Sequence, residues 1–355
     1  MKIVTVVGAR PQFVKAAMVS RALQQFHDIH EVLVHTGQHF DRDMSDIFFH
    51  ELDLPEPDHH LDVHSLSHAV MTAEMLTRLE TVLHQEKPDV VLVYGDTNST
   101  LAGALTAAKL WIPVAHVEAG LRSFNMAMPE EINRVVTDRL ATHLFCPTAT
   151  AVANLKREGM DHFGATVLNV GDVMFDAAML YTPKARERSD ILSRLSLEEF
   201  ALCTIHRAEN TNDPARLRGI IAALETIHHD LPVLLPLHPR TRKIMLEAGI
   251  DTHIRLIDPV SYLDMLCLLQ ECTLVLTDSG GLQKEAFFYK KSCVTLRLET
   301  EWTELVDAGV NFLAGHDTAQ IVATFHRAGE SEPNFDIHPY GDGHAAEKIA
   351  TALRT

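Results

Sequence analysis

The sequence has too little positive charge to bind nucleic acid through its phosphates. Its 31 Lys and Arg residues face 48 Asp and Glu residues, which gives a formal net charge of −17 at pH 7. A nucleic-acid-binding surface needs an excess of basic side chains to neutralise the phosphate backbone. This balance argues against DNA or RNA as a partner, and any site for an anionic ligand must be locally basic.

The chain also lacks an apolar run near the ~18 residues that a membrane-spanning helix requires. The N-terminus has neither the length nor the cleavage site of a signal peptide, and it predicts a first core strand. The five cysteines include no Cys-x-x-Cys pair and lie mostly in apolar segments, which is typical of reduced, buried thiols. We therefore expect a cytoplasmic protein without a membrane or secretory role.

Two cofactor signatures are absent as well. The turn after the first predicted strand lacks the Gly-x-Gly-x-x-Gly pattern of dinucleotide binding. The 22 histidines include clusters, but none has the His-Glu-x-x-His arrangement, and no Cys or carboxylate pattern accompanies them. The clusters are at His59-His60, His64, His68 and His228-His229. We expect polar, solvated histidines and neither a metal nor another cofactor.

Strand-length apolar runs alternate with amphipathic helical stretches in both halves of the chain. The predicted strands are at 3–7, 31–35, 90–94, 114–117 and 167–170, then at 201–205, 233–237, 254–257, 274–277 and 293–296. The predicted helices are at 14–25, 69–85, 99–109, 213–228, 261–270 and 280–289. This alternation predicts an α/β protein with two doubly wound, Rossmann-like domains that face a central crevice. We expect domains at 1–171 and 172–342, with a helix at about 343–355 that can return to the first domain.

The stretch after the predicted strand 274–277 reads Asp-Ser-Gly-Gly-Leu-Gln-Lys-Glu. Ser279, Gly280 and Gly281 open a helix whose first amides and positive dipole end favour phosphate. Glu285 lies one turn further on the same face, where a ribose diol would sit. The alternative is a tight strand-to-helix turn without a ligand. The pattern favours a site for a nucleoside diphosphate.

Charged side chains follow several strands of the first half. Arg10 and Lys15 lie at the start of the first predicted helix. Their side chains either face a ligand site or are ordinary surface charges. Asp96, Glu118 and Glu130 lie at the carboxyl ends of strands or at a helix start, where single carboxylates are often N-caps. Like charges held close together can supply both an acid and a base near neutral pH. Arg122 and Arg134 would moderate their repulsion or clamp a ligand.

Two further cationic loops belong to the second half. His206 ends a predicted strand within the polar run His-Arg-Ala-Glu-Asn, where it could bridge a phosphate or donate a proton to a leaving group. A structural histidine is the alternative at this position. His238-Pro239-Arg240 forms the second loop.

Six motifs, in this order and over nearly the whole chain, resemble the non-hydrolysing UDP-N-acetylglucosamine 2-epimerases. They are Gly-Ala-Arg-Pro-Gln, Gly-Asp-Thr-Asn-Ser, His-Val-Glu-Ala-Gly-Leu-Arg, Met-Pro-Glu-Glu-Ile-Asn-Arg, His-Arg-Ala-Glu-Asn and Thr-Asp-Ser-Gly-Gly-Leu-Gln-Lys-Glu. The resemblance implies a GT-B-type architecture, a cytoplasmic homodimer, and no metal or nicotinamide. It implies elimination of UDP to give 2-acetamidoglucal, followed by re-addition of UDP with inversion at C2.

The resemblance also assigns residues. It implies catalytic roles for Asp96, Glu118, Glu130 and His206, and a ribose contact for Glu285. The substrate or UDP would be bound by a set that fits the same chemistry: Arg10, Lys15, Arg134, His206, Ser279, Gly280, Gly281, Glu285 and Arg297.

Some positions depart from the family pattern. In many members a second UDP-sugar activates the enzyme, and Gln38, Arg207 and His238 are the candidates for such a second site. However, Asp41 replaces a usual Gln, and the stretch 65–68 lacks a usual Arg. Trp302 replaces an Arg that commonly approaches the diphosphate, as in relatives resembling UDP-2,3-diacetamido-glucuronate 2-epimerases, whereas Arg297 is retained. Allosteric activation and the identity of the sugar therefore stay open.

Two rival functions use the same diphosphate site. A retaining glycosyltransferase would need an acceptor cleft in the first domain, and a sugar-nucleotide sensor would not need Glu118 or Glu130. The three carboxylates Asp96, Glu118 and Glu130, together with Arg134, favour a third reading: an elimination during which the sugar stays bound.

Overall fold

The computed structural model describes residues 1–38 and 51–354. These residues form two compact units, each built on its own parallel sheet. Unit 1 comprises Met1–Met179 and His338–Thr355, and unit 2 comprises Leu180–Ile337. The fold class predicted from the sequence is confirmed, whereas the domain ranges 1–171 and 172–342 stay predictions.

The described residues of unit 1 form a seven-stranded sheet in the order β3-β2-β1-β4-β5-β6-β7. The central strands β1 and β4 consist largely of Val and Ile and are buried, as expected where helices cover both faces of a parallel sheet. The strands are β1 Lys2–Val7, β2 His30–His35, β3 His59–His60, β4 Val90–Tyr94, β5 Val114–Val117, β6 His143–Cys146 and β7 Thr166–Asn169. The helices are α1 Arg10–Leu23, α2 His68–Glu86, α3 Asn98–Lys109, α4 Pro129–Leu140, α5 Ala149–Arg157 and α6 Val173–Arg188, which continues into unit 2.

Unit 2 has a six-stranded sheet in the order β10-β9-β8-β11-β12-β13. Its core packs apolar side chains of the long helix α9, such as Leu217 and Leu224, with strand residues such as Leu235. The strands are β8 Ala201–Thr204, β9 Val233–Pro236, β10 Arg255–Ile257, β11 Leu274–Thr277, β12 Cys293–Thr295 and β13 Asn311–Leu313. The helices are α7 Ile191–Leu195, α8 Ala208–Thr211, α9 Pro214–Asp230, α10 Pro239–Glu247, α11 Tyr262–Glu271, α12 Gly280–Phe288, α13 Thr303–Asp307 and α14 Thr318–Glu330.

Each sheet has a topological switch point beside its first strand. The strand order reverses between β1 and β4 in unit 1, and between β8 and β11 in unit 2. Both pairs are parallel and in register, so the loops that follow the paired strands emerge side by side. Ligands of doubly wound folds bind outside the carboxyl ends of the strands at such a point.

The predicted strands all form, each within one residue at either end. The sequence did not predict β3, β6 and β13, which are two, four and three residues long. Helix α1 begins at Arg10, four residues before its predicted start, because Pro11 is well accommodated in a first helical turn despite the polar sequence there. The five cysteines are buried and unpaired, as predicted.

The C-terminal segment of unit 1 packs beside the N-terminal helix. Helix α15 (Ala345–Arg354) packs on α1, and Arg354 Nε donates to Asp28 Oδ2 at 2.9 Å. Upstream, the Ala346 amide donates to Asp176 Oδ2 at 2.7 Å. The chain therefore ends within the unit in which it begins.

Candidate active site

The turn from β1 into α1 is held by the side chain of Gln12. Its Oε1 accepts from the amides of Gly8 and the next residue at 2.8 and 3.0 Å, and its Nε2 donates to the Tyr94 carbonyl at 2.8 Å. A Cβ at Gly8 would lie 2.0 Å from Thr36 Oγ1, so only glycine fits. Gln12 thereby fixes the loop after β1 against the loop after β4.

Of the two predicted cations in this region, Arg10 is half-buried and Lys15 is buried. Lys15 forms an ion pair with Glu118, and the two side chains are only 8% and 11% exposed. Gly95 lies beside this pair, because a Cβ at Gly95 would be 3.2 Å from Glu118 Oε2 and 3.3 Å from Lys15 Nζ. The structure therefore brings Lys15 and Glu118 together at the switch point of unit 1.

Glu118 has an unusual backbone conformation. Its φ of +72° is in the left-handed region, which costs a residue with a side chain about 1–2 kcal/mol. The amides of Glu118 and Ala119 both donate to the Phe145 carbonyl, at 3.0 and 3.1 Å. Such strain persists only where the surroundings fix it, and it is found preferentially at functional sites.

Asp96 is held from helix α4. Arg134 forms an ion pair with Asp96 Oδ2 and donates to Glu131 Oε2 at 2.6 Å. Asn133 Nδ2 donates to the Asp96 carbonyl at 2.9 Å. The Asp96 side chain is 33% exposed, against 5% for Arg134. Arg134 is therefore a buried anchor, and Asp96 is the member of this pair that solvent reaches.

Glu130 and Glu131 are adjacent in the first turn of α4 but face different surroundings. Glu131 is buried and accepts from the amides of Ser123 and Phe124 at 3.0 and 2.9 Å. Glu130 is half-buried, and its side chain forms no hydrogen bond or ion pair within the described part of the chain. Helix α4 thus uses Glu131 to hold a loop and leaves the Glu130 carboxylate available for a ligand.

Arg122 is paired with carboxylates, in keeping with the first of its two predicted roles, the moderation of negative charge. Its guanidinium is buried and donates to Asp138 Oδ2 and to both carboxylate oxygens of Glu158, each at 2.7 Å. Burial alone lowers the pKa of Arg122, but the hydrogen bonds and charges of Glu158 and Asp138 outweigh it and raise that pKa. Arg122 is therefore a structural cation.

In unit 2 the loops after β8 and β11 are joined by Asp278. Its buried carboxylate accepts from the amides of His206 and Arg207 at 3.1 Å and from Asn210 Nδ2 at 3.1 Å. His206 Nδ1 lies 3.4 Å from Asp278 Oδ1, and the His206 side chain is 54% exposed. Asp278 thus orients an imidazole that stays accessible at the switch point of unit 2.

The predicted Ser-Gly-Gly turn opens α12. Ser279 Oγ caps the helix by accepting from the Leu282 amide at 3.3 Å. A Cβ at Gly280 would find its nearest neighbours at 3.7 Å, and one at Gly281 would find Ser279 Oγ at 3.9 Å, both ordinary contacts. The fold therefore does not require these two glycines, in contrast to Gly8. A ligand that approaches the helix amides closely would require them.

Glu285 is buried one turn into α12 and lies near the ring of Tyr262. Burial, followed by the negative charge of Glu285, raises the pKa of Tyr262 well above its usual range. Burial likewise raises the pKa of Tyr289 to about 12, and Thr182 lies 2.6 Å from its hydroxyl. Glu285 therefore lies beside two tyrosine hydroxyls of unit 2, those of Tyr262 and Tyr289.

Arg297 is placed differently from its predicted role as a diphosphate ligand. Its side chain is 1% exposed, and two of its nitrogens donate to the two oxygens of Glu301 at 3.0 Å each. Trp302, the next residue, donates from Nε1 to the Gly280 carbonyl at 2.8 Å, and Lys284 Nζ lies 4.5 Å from the centre of its ring. In this structure Arg297 balances Glu301, and Trp302 contacts the Ser-Gly-Gly turn.

The predicted second-site residues belong to both units. Gln38 accepts from the Ser99 hydroxyl at 2.8 Å in unit 1. In unit 2, Arg207 Nε donates to the Asp278 carbonyl at 3.0 Å, and His238 is exposed at the start of α10. Asp41 and His39, which belong to the same predicted loop as Gln38, lie outside the described residues.

The described ranges 1–38 and 51–354 contain no group of three or more His, Cys, Asp or Glu side chains arranged to hold a metal ion. No helix in those ranges has the length and apolar character needed to cross a membrane.

Four polar residues that organise the two switch points were not among the predicted site residues. They are Gln12, Glu131, Asp138 and Asp278. Asp278 and Gln12 had a detectable signal, because Asp278 directly follows the buried strand β11 and Gln12 lies in the first turn of the helix that follows the buried strand β1. Glu131 could not be told from Glu130 by sequence, since only helix packing decides which of the two is buried.

Comparison with known proteins identifies the family. The family model for UDP-N-acetylglucosamine 2-epimerase matches residues 21–354. A relative from Pseudomonas aeruginosa, UDP-2,3-diacetamido-2,3-dideoxy-D-glucuronate 2-epimerase, is 52% identical over 354 residues, with 99% of each chain covered.

Two solved structures are also similar. The Methanocaldococcus jannaschii UDP-GlcNAc 2-epimerase, in complex with UDP-GlcNAc and UDP, matches with a TM-score of 0.94 and 40% identity over 100% of this chain and 99% of that chain. The Neisseria meningitidis UDP-GlcNAc 2-epimerase, bound to UDP-GlcNAc, matches with a TM-score of 0.90 and 32% identity over the whole of both chains. The motifs, the two parallel sheets and these similarities lead to one conclusion: this chain belongs to the UDP-N-acetylglucosamine 2-epimerase family.

Proposed function

We propose that this chain is a non-hydrolysing 2-epimerase that interconverts UDP-N-acetylglucosamine and UDP-N-acetylmannosamine. Family membership and the UDP-GlcNAc complexes of two relatives support this substrate. The observation that carries the proposal is the ion pair of Lys15 with Glu118 at the switch point of unit 1. The backbone of Glu118 is strained. A protein that only binds a nucleotide sugar has no need for a carboxylate held in this way.

The reaction eliminates UDP and then adds it back. The C1–O bond breaks and its electron pair leaves with the β-phosphate oxygen, while a base removes the C2 proton and the C2–H electrons form the C1=C2 bond of 2-acetamidoglucal. A proton then adds to the opposite face of C2, and the UDP oxygen bonds to C1 again. Because the C2 proton is barely acidic, C1–O cleavage leads, and positive charge develops on the sugar. Nearby carboxylates stabilise that charge and transfer the proton.

Residues of unit 1 serve the sugar. We assign C2 proton transfer to Glu118 and Glu130, and stabilisation of positive charge to Asp96. The contrast between a partner-bound Glu118 and a ligand-available Glu130 supports different roles for the two carboxylates. Arg10, Lys15 and Arg134 provide positive charge for an anionic substrate.

Residues of unit 2 serve the UDP. The amides that follow Ser279, at the start of α12, suit a diphosphate whose negative charge grows during C1–O cleavage. His206, oriented by Asp278, suits a hydrogen bond to the leaving phosphate. Glu285 suits the ribose hydroxyls. Arg297 remains a candidate only if its pair with Glu301 opens.

A second candidate substrate is UDP-2,3-diacetamido-2,3-dideoxy-D-glucuronate, with the same elimination chemistry. The relative that is named for this sugar is 52% identical to this chain, whereas the M. jannaschii enzyme that is named for UDP-GlcNAc is 40% identical. Trp302, where many relatives have an Arg, also favours this reading.

The test incubates the purified protein with each UDP-sugar in D2O and follows the anomeric and C2 protons by NMR. A 2-epimerase gives a mixture of gluco and manno forms with deuterium at C2, and the ratio of kcat/KM for the two sugars identifies the substrate. Glu118→Gln is the matched control, since it keeps the side-chain shape. Sugar transfer to an added acceptor would indicate a glycosyltransferase, and UDP-sugar binding without turnover would indicate a sensor.

We also propose a cytoplasmic homodimer, which the family resemblance supports. Sedimentation velocity checks the oligomeric state, and a monomer at micromolar concentration would contradict it.

A further inference from the structure

Asp138 is a buried carboxylate of helix α4 that is bonded to the segment carrying Glu118. Its Oδ1 lies 2.7 Å from His116 Nδ1, and its Oδ2 accepts from Arg122 NH1 at 2.7 Å and from the Gly120 amide at 3.1 Å. His116 and Gly120 are each two residues from Glu118, on opposite sides. One carboxylate therefore holds the chain on both sides of the strained residue.

The contact reaches a second loop through the His116 ring. His116 Nε2 lies 2.7 Å from the Gly95 carbonyl, and the ring is fully buried. The His116 ring therefore bridges the Asp138 carboxylate and the Gly95 carbonyl. Gly95 has a φ of +62°, precedes Asp96 and lies beside the ion pair of Lys15 with Glu118. The loops of two candidate catalytic carboxylates are thus tied to one anchor.

The anchor is charged. Burial raises the pKa of Asp138, but the hydrogen bonds and charges of His116 and Arg122 outweigh this effect and lower the pKa below its usual value. The carboxylate therefore stays ionised near neutral pH. An uncharged amide at this position would be a weaker acceptor for the buried guanidinium of Arg122 and for the Gly120 amide.

We propose that Asp138 is a positioning residue of the epimerase: through Gly120 and His116 it fixes Glu118 and the Asp96 loop in the geometry required for proton transfer at C2. This inference rests on the proposed function. Asp138 does not contact the substrate, and its effect is expected on the chemical step and not on UDP affinity, because the helix amides after Ser279 and the side chains of His206 and Glu285, to which we assign UDP binding, belong to unit 2.

The chain offers a matched control for Asp138. Glu158 also pairs with Arg122, at 2.7 Å, but its side chain is 37% exposed, and among the described residues no hydrogen bond joins it to His116 or Gly120. Glu158→Gln removes one carboxylate from Arg122 without disturbing the segment of Glu118. Asp138→Asn removes the other carboxylate and weakens the hold on that segment.

The first measurement compares these variants in the NMR assay with whichever UDP-sugar the wild-type protein turns over. We expect Asp138→Asn to lower kcat by about 100-fold, the scale of a small misplacement of reacting groups. KM and the Kd for UDP, measured by calorimetry, should change by less than about twofold. Glu158→Gln should keep kcat within about threefold. His116→Asn, a milder change that leaves Asp138 paired with Arg122, should lower kcat in the same direction if Asp138→Asn does not fold.

The second measurement separates positioning from a general structural role. If Asp138 acts through Glu118, then adding Asp138→Asn to a Glu118→Gln variant should cost less than about fivefold, because the group it positions has already been removed. A loss of folded protein would instead lower kcat by the same factor whether or not Glu118→Gln is present. Circular dichroism of every variant verifies the fold.

The outcomes are distinct. A wild-type protein that epimerises neither UDP-sugar overturns the proposed function and this inference with it. An active wild type with a folded, fully active Asp138→Asn overturns this inference alone, as does an equal loss in the presence and absence of Glu118. If Glu158→Gln lowers kcat as much as Asp138→Asn does, the pairing of Arg122 is responsible for the loss. This outcome also overturns the inference.

Discussion

The two units share the same kind of topological switch point, but different chemical groups lie there. In unit 1, side-chain charges meet: Lys15 with Glu118, Arg134 with Asp96, and Arg122 with Asp138. In unit 2, the Ser-Gly-Gly turn presents backbone amides, and the buried Asp278 holds the facing loop mainly through amides as well.

This difference shows two ways in which a strongly acidic protein can place groups that interact with a charged ligand. Charges that are paired and buried keep fixed positions, which suits groups that must act on particular atoms of a sugar. Amides at a helix start bind an anion without the flexibility of long cationic side chains. We therefore expect substitutions in unit 1 to act on turnover and substitutions in unit 2 to act on affinity.

The largest effect is expected at the unit 1 carboxylates. Glu118→Gln and Glu130→Gln should each lower kcat by about two to four powers of ten, the usual contribution of an acid–base residue. UDP affinity should persist, because the amides of unit 2 are unchanged. Steady-state kinetics together with UDP calorimetry check both parts, and near-normal turnover in both variants would remove the catalytic assignment.

The next effect concerns the turn of unit 2. Gly281→Val should abolish detectable UDP binding by filling the space above the helix amides, although the fold tolerates a Cβ there. Gly329→Val is a control, because Gly329 is also in a helix of unit 2 and an added Cβ would meet nothing within 4 Å. Calorimetry should show binding in the control alone. Unchanged UDP affinity in Gly281→Val would show that the phosphates lie elsewhere.

A smaller effect is expected at Trp302. Trp302→Phe keeps a buried aromatic ring but removes the donor to the Gly280 carbonyl, so UDP affinity should fall by about 3–10-fold, roughly the net contribution of one hydrogen bond. The only other tryptophan, Trp111, is 94% exposed in unit 1. UDP should therefore change the fluorescence of Trp111→Phe and leave that of Trp302→Phe unchanged. The reverse pattern would contradict the contact between Trp302 and the UDP site.

The smallest effect is expected at Glu31, a partly buried carboxylate of unit 1, and its measurement shows whether such a carboxylate depends on a cation. Glu31 accepts from Thr5 Oγ1, and burial is the main cause that raises its pKa above the usual 4.5. A carboxyl whose pKa is higher in the folded state loses stability as pH rises from about 4.5 through the raised pKa. Glu31→Gln should therefore raise Tm at pH 7 by about 2 °C.

The gain should disappear near pH 4, where Glu31 is protonated in both states. The exposed Glu80→Gln serves as the control in thermal scans at both pH values, with no change of this kind. A destabilised Glu31→Gln at pH 7 would mean that the carboxylate is paired after all, as Asp138 is.

The sequence by itself determined the two parallel sheets, their main strands and the family. Continuous Val-rich runs predict buried strands because only a sheet covered on both faces hides them, and alternation with amphipathic helices leaves few topologies. The polar residues that follow such strands could be predicted as site residues for the same reason, since the carboxyl ends of parallel strands share one edge. Asp96, Glu118, His206 and Ser279 were predicted in this way.

Tertiary structure alone decided which charges are paired and which remain available. Arg122, Arg134 and Arg297 look alike in sequence, and all three are buried against carboxylates, but only Arg134 is paired with a predicted catalytic carboxylate, that of Asp96. Glu130 and Glu131 are neighbours with opposite surroundings. Asp138 reaches His116 over 22 residues of sequence, and Asp278 reaches His206 over 72. These pairings depend on distances between segments far apart in the chain, and local sequence patterns carry no information about such distances.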